Sequence, residues 1–414
     1  MNTSVPAIVS VDGELRGAKY NRKRGLFLAA IVTLALTVNG APAQAQTFTI
    51  LHEFTGGSDG EFPSGGLVRD AAGSLFGMTS AGGGDTEGVV YKIDSTGEET
   101  ILLTFDNSNG GFPNSALIQD QAGNLYGIAD EGPGGAGILF KLSPEGEQTI
   151  LHAFQGGLGR NARVPSGGIL MDKFGNIFGT TLAGGNGSCL FGCGSVFRLD
   201  PAERLHVLYQ FSGGSDGSHP YGPLVQDVAG NLYGVAQSGG DLSCSEFPQV
   251  GCGTVFRLAR NGEFTVLHIF KGGADGASPQ PGLLMDTAGN LYGATAEGGN
   301  SDSGIVFKIS NSGKYSILHR FSGIAGVFPN GGLVSDSDGN LYGTAQAGGT
   351  GGVGTVFELS PAGQVTVLHA FSGGLDGASP LAGLVRDAEG NLYGTAFKNF
   401  LDQQQTGDVF EITP

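Results

Sequence analysis

Basic residues are scarce. The 414-residue chain carries 21 Lys and Arg against 38 Asp and Glu, a formal charge of −17. Nucleic acid is excluded as a partner, because neutralising phosphates needs basic patches. An anionic membrane surface is excluded on the same ground. The 77 glycines follow no G-X-Y period, which excludes collagen. They sit instead between short apolar runs, at the places where turns fall, so low-complexity disorder is also a poor description.

Long apolar runs are missing with one exception. Residues 26–38 form an apolar stretch too short to span a bilayer comfortably. Lys19, Arg22, Lys23 and Arg24 precede it and Ala43-Gln44-Ala45 follows, the pattern of a signal peptide over residues 1–45. The mature chain is expected to start at Gln46, with 16 basic and 36 acidic residues once five and two are removed, net −20. The closing residues, GDVFEITP, hold no apolar tail. The expectation is an exported protein, extracellular or periplasmic, monomeric and free of the membrane after cleavage. No P-loop, dinucleotide fingerprint or nucleophile–base pairing stands out.

What the chain does have is repetition. A core of the form G-N-L-Y-G begins at Gly73, Gly123, Gly175, Gly230, Gly289, Gly339 and Gly390. The steps between them are 50, 52, 55, 59, 50 and 51 residues. A steady period of this size means a repeat architecture. In the sixth unit four short runs, A to D, are rich in Val, Leu, Phe and Tyr and bounded by Gly, Asp, Ser and Pro. They cover residues 332–335, 341–344, 355–359 and 365–371. Such runs are strands, and four strands per 50-residue unit make a β-propeller blade.

The count closes the ring. The first D run, residues 47–54, precedes any A, B or C, and the chain ends on a C run at residues 408–413. The N-terminal strand can therefore complete the last blade and leave no free sheet edge. The sequence predicts an all-β, seven-bladed propeller over residues 46–414. The unit P-x-x-G-L-V-x-D-x-x-G-N-L-Y-G-T…G-T-V-F-x-L-S…G…T-V-L-H-x-F resembles the GloVer tandem repeat of secreted bacterial choice-of-anchor proteins. Its first half is similar to NHL propeller repeats. The resemblance implies a secreted repeat protein and brings no defined catalytic activity with it.

Candidate chemistry is sparse. His52, His152, His268, His319 and His369 occupy one position of run D, where other units hold Leu103 and Tyr209. A site taken by His, Leu or Tyr reads as a packing position. The repeated aromatics of runs B and C read as filling between blades. Asp59, Asp216, Asp275 and Asp376 lie in Gly-rich D–A loops. They could offer oxygens to calcium, but without a D-x-D-x-D string the reading is turn capping. Cys189 and Cys193 share one B–C loop, and Cys244 and Cys252 share the next. In an exported chain this suggests disulfides Cys189–Cys193 and Cys244–Cys252, with zinc between Cys193 and Cys252 as the rival.

B–C and D–A connections are the long ones and share a face. On it, the stapled loops carry Phe191 and Phe247, and a divergent seventh loop carries Phe397 and Phe400. These four are the expected ligand-binding residues of a secreted scaffold for a glycan or protein, with no cofactor. The alternative is a carbohydrate-active hydrolase or lyase using Asp85, Glu87, Asp130, Glu131, Asp241 or Glu297 in the propeller mouth.

Overall fold

The computed structural model describes residues 46–414 except 64, 157–162, 186, 245, 246, 248 and 399–405. Residues 45–414 form one compact unit. Seven antiparallel sheets follow one another along it, each made by A, B, C and D strands paired in order. In the sixth blade these are Val327–Ser335, Leu341–Ala347, Thr355–Leu359 and Val365–Ala370. In the fourth and fifth blades the A strand is broken into two short pieces. Among the described residues, helix is confined to two single 3₁₀ turns, Gly273–Asp275 and Gly323–Ala325. Among the described residues no helix is long and apolar enough to cross a membrane.

The ring closes as the strand count requires. Thr47–Glu53 runs antiparallel to Thr406–Thr413, from Thr47 opposite Thr413 to Glu53 opposite Asp408. The first strand thereby becomes the D strand of the seventh blade.

The glycine of G-N-L-Y-G has a physical cause. Gly77 lies directly opposite Tyr91, Gly343 opposite Phe357 and Gly394 opposite Phe410. A β-carbon at any of the three would strike the ring of that C-strand aromatic. The bare backbone of strand B is the bed on which the ring lies. Strand C is buried almost throughout, while strand D alternates at intermediate exposure and forms the outer edge.

The seal between blades is aromatic. A phenylalanine at the end of each D strand is almost wholly buried: Phe54, Phe105, Phe154, Phe211, Phe270, Phe321 and Phe371. Each meets the C-strand aromatic of the next blade edge-to-face, at centroid distances of 4.9 to 5.5 Å. That geometry suits the ring quadrupoles and adds to the burial of apolar area.

The A strands meet at the centre. Gly167 abuts Gly222, Gly222 abuts Pro281, Gly282 abuts Gly332, and Gly331 abuts Gly383. A side chain on any of these glycines would hold the blades apart, so a glycine in each of the third to seventh blades lets them approach closely around the axis.

Candidate functional site

The loop face is built by the D–A and B–C connections. The residue before the repeated proline has a left-handed backbone in all seven blades. Phe62, Phe112, Val164, His219, Ser278, Phe328 and Ser379 have φ between 45° and 57°. Such strain at non-glycine residues persists only where neighbouring structure holds it. A bond to the preceding blade does so: Phe112 N–H donates to Glu87 O at 2.8 Å, His219 to Cys193 at 2.8 Å and Phe328 to Ser303 at 2.9 Å.

The D–A loops show what the repeated histidines do. Asp275 Oδ2 accepts from Lys271 N–H at 3.1 Å and lies 3.2 Å from His268 Nε2. Asp376 Oδ2 accepts from Ser372 N–H at 2.9 Å and lies 3.1 Å from His369 Nε2. Tyr209 takes the histidine's place and donates to Asp216 at 2.9 Å. In each pair the aspartate follows seven residues after its partner. Seven residues after Leu103 and His319 stand Gly110 and Gly326 instead. The expectation of pure packing is therefore corrected: these side chains also lock the loop that follows them. They do pack as well, since His268 stacks on Tyr315 at 3.7 Å, and His369 on Phe48 and Tyr209 on Phe264 at 3.8 Å. Burial pushes the Asp376 carboxyl up, but bonds from Ser372 and His369 outweigh it and hold it below its ordinary value. The four loop aspartates spend their oxygens on their own turns, which leaves little for calcium.

One blade junction places an acid beside the histidine. Glu99 of the first blade stands where Phe48, Phe264 and Tyr315 stack elsewhere, and faces His52 of the closing strand. His52 Nε2 lies 3.6 Å from Glu99 Oε2 and makes no hydrogen bond. Asp59 completes the group, in which one ligand atom from each residue lies within 4.8 Å of the others. Its carboxylate also accepts from Thr55 N–H and Oγ1, both at 2.7 Å. Among the described residues no other trio of His, Cys, Asp and Glu is so placed. One imidazole nitrogen and two carboxylates suit a divalent cation such as zinc better than calcium, which takes six to eight oxygens. Burial, then the nearby Asp59, pushes the Glu99 carboxyl up to about 7.

The stapled loops stand on the same face. Cys189 is bonded to Cys193 and Cys244 to Cys252, with Cα atoms 5.1 and 5.8 Å apart. All four thiols are consumed within their own loops, which rules out the zinc arrangement between Cys193 and Cys252. Leu190 is 86% exposed and Phe191 52%, while Leu242 and Val250 project from the neighbouring loop. Phe247 is placed differently: it packs, partly buried, against the cluster holding Cys244, Cys252 and Phe270. Phe397 is not a loop residue. Strand B of the seventh blade runs Leu392–Lys398, and Phe397 meets Phe62 edge-to-face at 5.9 Å. Phe400 lies outside the described residues.

The acids named from the sequence serve different ends. Asp241 accepts from Ser243 N–H at 2.9 Å, within its own loop. Asp130 accepts from Asn114 Nδ2 at 3.2 Å. Burial pushes its carboxyl up to about 6, opposed by Asn114 and aided by Glu131. Tyr221 of the fourth blade has its hydroxyl raised mainly by burial and secondly by the charge of Asp130, in the second blade. Neither Asn114 nor Tyr221 was picked out by sequence reasoning. Their shared place, the residue after the repeated proline, was the signal for them.

The Gloeobacter/Verrucomicrobia repeat model matches residues 37–189, 132–247 and 242–414. The chain belongs to this family. No curated protein matches it. Among solved structures, puromycin hydrolase is 12% identical with a TM-score of 0.54, covering 85% of this chain and 52% of that one. A gluconolactonase of Xanthomonas campestris is 14% identical with a TM-score of 0.44, covering 89% of each chain. At these identities the likeness is one of fold alone. The repeat family therefore accounts for the blades, and the loops must be read from their own chemistry.

Proposed function

We propose that this repeat protein is an exported scaffold that binds a glycan or protein ligand with its loop face. The carrying observation is the exposure of Leu190, Phe191, Leu242 and Val250 on two adjacent loops that disulfides hold in place. Exposed apolar side chains grouped on one face mark interaction surfaces. A cross-linked loop has less freedom to lose on binding. Disulfides also fit an oxidising compartment. Phe397 extends the apolar character of the rim, while Phe247 supports the fourth-blade loop from beneath.

The test is a glycan and protein-ligand screen of residues 46–414. It is followed by exchange of residues 181–194, 236–253 and 396–407 for the equivalent residues 345–354 of the sixth blade, AQAGGTGGVG. The exchange should abolish binding with the fold intact. Unchanged affinity in the exchanged protein would refute the rim as the site.

A second reading rests on Asp130. A carboxyl that burial holds near 6 can act as a general acid, the role a glycoside hydrolase or lyase requires. Turnover of any glycan in the screen that disappears in Asp130→Asn would favour this reading over the scaffold.

A further inference from the structure

The tight-turn face, opposite the loop rim, carries a cleft of 640 Å³ between the third and fourth blades. That volume is typical of a small-molecule site. It lies between the A–B turns at residues 172–176 and 227–230 and is closed by the C–D turn at 259–262. Leu170, Leu208, Leu232 and Leu258 line it as apolar wall.

Its local sequence breaks the repeat. In five blades a B-strand tyrosine donates to the turn aspartate, as Tyr233 does to Asp227 at 3.0 Å and Tyr292 to Asp286 at 3.0 Å. The third blade has Phe178 at that place, so the polar lid over its turn is missing. The turn itself carries Phe174 where most units have Ala, and this ring is 65% exposed. Val228 on the facing turn is also fully exposed.

The charge in the cleft is the reverse of the chain's. Arg198, Lys173 and Arg260 all line it. The two aspartates present are already committed. Asp172 accepts from Phe174 N–H, Asn176 N–H and Asn176 Nδ2, each at 2.9 Å. Asp227 accepts from Ala229 N–H, Asn231 N–H, Asn231 Nδ2 and Tyr233. Among the described residues none of the three cations makes an ion pair, and Arg198 Nε is buried with no hydrogen-bond partner. The Arg198 guanidinium thus borders the cleft with no carboxylate of its own, and an anionic ligand would supply one. Its planar fork matches a carboxylate in particular.

We infer that this cleft binds a small amphipathic carboxylate, its carboxylate on Arg198 and Arg260 and its apolar body between Phe174, Phe178 and the leucine wall. This site is separate from the loop rim and does not depend on it.

The test is calorimetric titration of residues 46–414 with 3-phenylpropanoate, its neutral amide 3-phenylpropanamide, and phenyl phosphate. The carboxylate should bind at least tenfold more tightly than the amide. Arg198→Met should weaken it at least tenfold and Phe174→Ala severalfold. Arg260→Met, on the exposed turn, supplies the same readout if Arg198→Met does not fold. The loop-exchanged protein should bind as the parent does. No binding of any probe, equal binding of acid and amide, or unchanged binding in the arginine variants would overturn the inference. Tighter arginine-dependent binding of phenyl phosphate would overturn the carboxylate assignment.

Discussion

Phe54 of the closing strand meets Tyr91 of the first blade edge-to-face at 4.9 Å, and both rings are buried. The same contact recurs at every blade junction, but here it joins the N-terminal segment to the body of the ring. Phe54→Ala should cost about 3–5 kcal/mol, as other buried phenylalanine truncations do. Deleting residues 46–55 should additionally bare the edge of Thr406–Thr413. Urea unfolding and protease resistance are the measures. Parent-like stability in both variants would disprove closure by this strand.

His369 and Asp376 should couple energetically. His369→Leu removes the 3.1 Å bond but leaves Asp376 held by Ser372. The expected loss is about 1 kcal/mol, the usual net worth of one hydrogen bond. Ligand binding at the rim should persist, as Leu103 fills the equivalent place in the first blade. A double-mutant cycle with Asp376→Asn reads the coupling. Additive effects would show that the histidine only packs.

Glu99 should make stability depend on pH. Its folded-state carboxyl titrates near 7, against 4.5 for the ordinary group. The folded state therefore holds the proton more tightly than the unfolded chain. This contribution is complete below about pH 4.5 and is lost as pH rises through 7. Glu99→Gln should flatten the melting temperature across that window relative to the parent. Parallel profiles for the two proteins would contradict the burial argument.

Each disulfide should steady its loop more than the ring. The loops closed span four and eight residues in sequence. Chain-entropy arguments put each bridge at about 2–3 kcal/mol. Non-reducing peptide mass spectrometry should recover the two pairs within their own loops. Reduction should raise hydrogen exchange at residues 185–194 and 240–253 while the B and C strands stay protected. Cross-loop peptides, or global loss of protection on reduction, would count against this division.

Much of the fold was legible because a repeat states its own geometry. The spacing of G-N-L-Y-G set the number of blades, and the stray D and C runs at the two ends announced their pairing. Gly343 opposite Phe357 carries its reason within one unit. The two disulfides were legible too, since each pair lies within a single long loop. Tertiary structure alone decided what crosses between blades. His52 and Glu99 are 47 residues apart, Asp130 and Tyr221 are 91, and Phe174 faces a turn more than 50 residues away. A residue's place in a repeat fixes its strand and height, but its neighbour is whatever the next blade offers at that height. The histidine–aspartate spacing of seven was visible in the sequence. Its meaning depended on how the loop folds back over strand D, and only the packed ring determines that.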